Sequence, residues 1–163
     1  MGLDMYLERM PRQIYGRNNV EYHNAVEVGY WRKANQIHNW FVEHVQDGID
    51  DCDYHKEVTK EILEELLDTC TKVYESCSMM IGPVKNGSVY KNGEWSDCIE
   101  PGKVVIDATV AKELLPTTSG FFFGSTDYDE YYVDDIAQTI DIITKVLKTT
   151  DFDKEMIYYC SSW

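Results

Sequence analysis

The sequence predicts a single α+β domain: a small sheet that includes strands near both ends of the chain, with three main helices packed on it. Three observations carry this. Apolar residues alternate with polar ones near the start (Leu3, Met5, Leu7 against Asp4, Tyr6, Glu8), and the closing stretch from Glu155 to Ser161 is again strand-like. Between them lie three longer segments in which apolar residues recur every three or four positions. No repeat, low-complexity tract or long linker divides the 163 residues, a length that buries roughly 70% of the unfolded chain's surface in one core.

Taken in order, residues 3–10 form the first strand, and residues 11–23, with Pro11, Gly16 and Asn18-Asn19, a loop. Residues 24–30 read as a second short strand. From Trp31 to about Val45 the period is helical, through Trp31, Ala34, Ile37, Phe41 and Val45, and Asp47-Gly48 ends it. A polar connection follows, with a short extended piece at Tyr54 to Val58. Thr59 is a candidate N-cap for the clearest helix, whose face runs through Ile62, Leu66, Cys70, Val73, Cys77 and Met80 until Gly82-Pro83 stops it. Residues 83–107 are a turn-rich excursion with a small hairpin around Val89 to Lys91, between Asn86-Gly87 and Asn92-Gly93. A short helix is expected at 107–115, and Phe121-Phe122-Phe123 between glycines reads as a buried strand or turn. Asp127 and Glu130 have the spacing of a capping box, opening a helix striped by Val133, Ile136, Ile140, Ile143 and Leu147.

The net charge of −14 is uneven. Residues 47–68 hold nine acids against two lysines, and residues 127–141 hold six acids and no base. Fields of this sign disfavour direct nucleic-acid binding, which runs on Lys and Arg neutralising phosphates. They suit a basic protein partner instead. The contacts expected are Asp50, Asp51, Asp53, Glu57, Glu61, Asp127, Asp129 and Asp134. The competing reading makes both segments solvated faces and favourable helix starts.

The start of the chain carries no export signal, and no apolar run approaches the ~20 residues that span a bilayer, so no membrane association is expected. The five cysteines lack a C-x-x-C pair and fit reduced thiols in a cytosol. Phosphate-cradling Gly-rich loops, the G-x-S-x-G elbow and H-E-x-x-H are all absent from the sequence. A structural zinc site is the best metal hypothesis: Cys52 and His55 stand at C-x-x-H spacing, and His38, Cys52 and Cys70 converge if the first two helices pack together. Against it, Cys70 and Cys77 lie on an apolar stripe and His38 at a helix edge. Trp31, Arg32, His38, Asp127 and Asp129 form a second constellation, suited to a metal-dependent enzyme or a small-ligand (nucleotide) binder.

The blocks MGLDMYL, GYWRKANQIHNWFVEHVQDGIDDC, LEELLDTC, LLPTTSGFFFGSTDYDEYY and YYCSSW resemble a family of small, uncharacterised bacteriophage and prophage proteins. They cover roughly half the chain; residues 83–107 and His55 lie outside them. The resemblance brings no catalytic residues. It implies a phage-type accessory protein in the cytoplasm of a bacterial host. By analogy it points to an inhibitor of a basic defence protein, such as an RNA-guided nuclease, in the manner of anti-CRISPR proteins. A structural or regulatory phage protein, offering Trp163 and an apolar face to another phage protein, is the remaining expectation.

Overall fold

The computed structural model describes residues 2–12, 25–52 and 56–163. Four strands build the main sheet: β1 (Asp4–Pro11), β2 (Val26–Arg32), β3 (Lys56–Val58) and β6 (Glu155–Ser162). Their order is β2-β1-β6-β3, and every pairing is antiparallel. The expected strands near the two ends of the chain are thus the two central ones. They pair along their whole length, from Asp4 opposite Ser162 to Pro11 opposite Glu155. The remaining strands, β4 (Met79–Lys91) and β5 (Glu94–Val105), form a separate ribbon, and the helices are α1 (Asn35–His44), α2 (Lys60–Ser76), α3 (Thr109–Leu114) and α4 (Glu130–Thr149).

The alternation read from the sequence fixes which sheet face is apolar. Leu3, Met5 and Leu7, with Trp31, Val58, Ile157 and Tyr159, are buried in one cluster. The helices cover this face. α1 contributes Ile37 and Phe41, the latter stacked on Tyr159 at 4.1 Å between ring centres. α2 contributes Leu63, Leu66, Cys70 and Val73, and α4 contributes Tyr132, Ile136, Ile143 and Val146. A polar tie across this core runs from Trp31, whose indole N–H donates to Thr139 Oγ1 at 2.9 Å. Both groups are buried, so each would cost free energy if left alone. Tyr132, at the start of α4, lies within electrostatic range of Cys70 and Cys77 near the end of α2, where the two helices pack together.

Several expectations need correction. Trp31 and Arg32 belong to β2, opposite Met5 and Asp4, and not to the first helix. The helical period at Trp31 is overridden by the pairing of β2 with β1, which extends the strand through Arg32. Lys33 then turns the chain in a left-handed conformation (φ 62°), and the helix starts at Asn35. α2 is capped by Thr59 as expected, its hydroxyl accepting from the Ile62 N–H, but it ends at Ser76. Gly82-Pro83 lies inside β4 and does not stop a helix; it faces Gly102 and Pro101. A two-stranded ribbon tolerates proline, because each strand has an edge with no pairing obligation. Glycine is needed there because a Cβ on Gly82 would come within 2.7 Å of Val104, and one on Gly102 within 2.6 Å of Val84.

The small hairpin is therefore long. Asn92 and Gly93, both left-handed (φ 54° and 89°), make its two-residue turn. Asn86-Gly87 is a bulge, where the register slips between Lys85 and Ser88. In α4 the cap is Asp129, not Asp127: its Oδ1 accepts from the Tyr131 and Tyr132 N–H groups at 3.0 and 3.2 Å. Of the three phenylalanines only Phe123 is buried. The α4 stripe centres on Ile136 and Ile143, with Ile140 only partly buried.

That phase is testable. Ile143→Ala is expected to lower unfolding stability by about 2–5 kcal/mol, the cost of a core cavity. Ile140→Ala should cost clearly less. Urea-denaturation midpoints of the two variants decide this, and equal losses would contradict the burial pattern.

Candidate functional site

A cleft of about 760 Å³ opens where the start of α4, the β2–α1 junction, the loop before α4 and the β4–β5 ribbon meet. Its volume falls in the range of ligand and peptide pockets. Asn35 organises one wall. This side chain is 1% exposed and uses its whole amide. Its Nδ2 donates to the carbonyls of Phe123 (3.2 Å) and Ser125 (2.8 Å), and its Oδ1 accepts from the Thr118 N–H (2.9 Å). Asn35 thereby ties the loop 117–125 to the start of α1. Two cleft residues without glycine's freedom, Lys33 and Phe122, both sit at φ 62°. Left-handed backbone at non-glycine residues is uncommon and concentrates at functional positions.

Carboxylates line the side formed by α4: Asp127, Asp129, Asp134 and Asp135. None of these four is in an ion pair among the described residues. Asp129 is 2% exposed; its Oδ1 caps the helix, and its Oδ2 is buried without a hydrogen-bond partner. Burial raises its pKa, opposed by the two backbone N–H donors. Asp135 accepts from Gln36 Nε2 at 3.1 Å, and burial, with help from Asp134 and Asp129, pushes it up to about 7. Cations line the cleft as well. Lys85 is neutralised by Asp97 at 2.7 Å, whereas Arg32 and Lys33 have no ion-pair partner among the described residues. Trp95, Phe122 and Tyr131 supply an exposed aromatic rim.

Three of the expected partner contacts, Asp127, Asp129 and Asp134, therefore meet in one place. The others do not join them. Asp50 lies beyond α1, where its Oδ1 is 3.1 Å from His38 Nε2 and accepts from the Trp163 indole at 3.1 Å. Asp51 is exposed beside it, and Asp53, like His55, lies outside the described residues. Glu57 pairs with Arg12 at 3.0 Å on β3. Glu61 serves the start of α2, its carboxyl held below the usual range by its own backbone N–H and the Thr59 hydroxyl. Glu61 is not among the residues that line the cleft.

The expected metal ligands are not gathered. His38 is 1% exposed; its Nδ1 lies 2.7 Å from the Tyr159 hydroxyl, and burial lowers its pKa against the pull of Asp50. Cys52 shares the surroundings of Tyr159. Cys70 packs in the core between α2 and α4, where burial pushes its thiol up to about 12. No three His, Cys, Asp or Glu side chains form a metal-binding group among the described residues. Of the second constellation, Arg32, Asp127 and Asp129 line the cleft, while Trp31 and His38 are core. Asp135 and Gln36 were missed. A hint was available, since Asp135 stands beside Ile136 at the margin of the apolar stripe. Lys85 and Trp95 gave none, because only the ribbon's path brings them to α4.

No helix among the described residues is long and apolar enough to cross a membrane. No protein-family model, curated protein or solved structure matches this chain.

The Asp135 carboxyl makes stability depend on pH. Folding raises its pKa from an ordinary 3.8 to about 7, so between those values the folded chain holds the proton more tightly than the unfolded chain. Its contribution to stability is thus lost as pH rises from 4 to 7, and the ionised group is a full burden above 7. Asp135→Asn is expected to raise the melting temperature at pH 8, by an effect on the order of 2–4 kcal/mol. Near pH 4 it should change little. Thermal unfolding at both values checks this; a lower melting temperature for the variant at pH 8 would refute it.

Proposed function

We propose that this chain is a partner-binding protein without catalytic activity of its own, and that it takes a basic segment of another protein into the cleft at the start of α4. One observation carries the reading: a buried carboxylate oxygen, Asp129 Oδ2, lacks a donor in a cleft whose other carboxylates also lack cationic partners. Buried polar groups are ordinarily satisfied. A donor-rich, positively charged group from a partner satisfies these, and the chain's net charge of −14 favours its approach. The context implied by the resemblance makes the partner a basic host protein, such as an RNA-guided defence nuclease, and the chain its inhibitor in the bacterial cytoplasm. In this reading the carboxylates of 47–68 add to the long-range field but make no contact in the cleft.

A second reading has one observation in its favour. Arg32 and Lys33 line the same cleft without ion-pair partners, as a site for an anionic, ring-bearing ligand such as a nucleotide would require.

The first reading predicts salt-sensitive binding of a lysine- and arginine-rich peptide, measured by fluorescence anisotropy. Affinity should fall steeply between 50 and 300 mM salt. Replacing Asp127 and Asp134 together by Asn should weaken it about tenfold, at the upper end of what two exposed charge pairs contribute. Replacing Glu64 and Glu65 on α2 by Gln should have little effect. Equal losses from both pairs would mean that overall charge, and not the cleft, binds the peptide.

A further inference from the structure

We infer that the group this cleft reads is a guanidinium: an arginine side chain of the partner, entering past the aromatic rim and ending on Asp129 and Asp135. The inference rests on the docking reading above and adds the identity of the group recognised.

The carboxylate side asks for several donors in fixed directions. Asp129 offers Oδ2, held in place because Oδ1 is tied to two backbone N–H groups. Asp135 is likewise oriented, by Gln36. A guanidinium presents five N–H donors in one rigid plane, whereas an ammonium is a compact point charge with three. Oriented carboxylates favour the planar fork, and paired N–H···O bonds of that kind are among the strongest in proteins.

Burial points the same way. Asp129 is 2% exposed, so its partner must shed water to reach it. Guanidinium is more weakly hydrated than ammonium and loses less on entry. The rim completes the match. Trp95 on β5 is 72% exposed and Tyr131 on α4 48% exposed, both at the cleft. Such faces attract cations and stack on the flat guanidinium, best of all at tryptophan. Trp95 is also braced by Tyr90 across the ribbon, 5.3 Å between ring centres. Among the described residues no lysine or arginine fills the role, since Lys85 is committed to Asp97 and neither Arg32 nor Lys33 pairs with a cleft carboxylate.

The test is a titration of the full chain with three end-blocked tripeptides, followed by NMR chemical shifts. Glycine flanks arginine in the first, lysine in the second and uncharged citrulline in the third. The arginine peptide should bind at least tenfold tighter than the lysine peptide, and the citrulline peptide should not bind measurably. Asp129→Asn should weaken arginine binding at least tenfold; Asn caps helices as well as Asp does, so the variant keeps its fold. Trp95→Ala, on the exposed ribbon, should weaken it severalfold. Asp141→Asn, on the exposed side of α4 away from the cleft, should leave it unchanged. Equal binding of arginine and lysine, both lost in Asp129→Asn, would overturn the guanidinium assignment and leave the docking reading standing. Binding of neither peptide would overturn both. Adenosine monophosphate binding in place of the peptides, with loss on Arg32→Ala, would overturn both in favour of the nucleotide reading.

Discussion

The pairing of β1 with β6 is the constraint on which the rest of the molecule depends. These strands lie side by side at the centre of the sheet over eight matched positions. Because side chains alternate across a strand, a one-residue slip would turn Met5, Leu7, Ile157 and Tyr159 outward together. The register therefore decides where the apolar face is, and the helices can settle only there. Trp31 arrives on that face because β2 pairs with β1, and its indole then fixes α4 through Thr139. Tyr159 receives Phe41 of α1. The placement of α1 in turn delivers Asn35 and Gln36 to the start of α4.

The cleft sits at a junction where local preferences conflict with burial. Asp129 performs an ordinary task as a helix cap, yet one of its oxygens is buried with no donor. Asp135 is a carboxylate on the inner margin of a helix that is otherwise apolar on that side. Lys33 and Phe122 hold left-handed backbone beside them. Each feature alone costs stability, and evolved chains keep such conflicts where something is bound. Glycine keeps the two ribbon strands close: a Cβ on Gly102 would meet Val84 at 2.6 Å, and the Glu130 carboxylate at 2.7 Å would have to swing aside.

The acidic excess divides along the same lines. Much of the segment 47–68 serves structure. Lys60 with Glu64, and Asp68 with Lys72, form pairs one turn apart on the exposed face of α2, and Glu61 favours the helix start. Asp50 ties Trp163 to the region of His38. The segment 127–141 instead gathers its carboxylates against an open cavity. Similar charge density in sequence thus produces a solvated helix face in one place and, in the other, carboxylates without ion pairs lining a cleft.

The sequence by itself determined the elements whose periodicity was unambiguous. It specified both central strands, α2 with its Thr59 cap, α3, α4 and the apolar face of the sheet, because alternation and 3.6-residue periods are local properties of the chain. It also singled out Asp127, Asp129 and Asp134. Only the tertiary structure decided the rest. Trp31 read as the start of a helix, and its pairing with Met5 makes it part of a strand instead. Gly82-Pro83 looked like a stop signal until β5 supplied a partner strand with the same residues opposite. Only packing placed Cys70 in the core between α2 and α4. Trp95, Gln36 and Asp135 come together from separate stretches of chain, and no local pattern encodes a meeting that depends on how a ribbon, a strand end and a helix start are stacked.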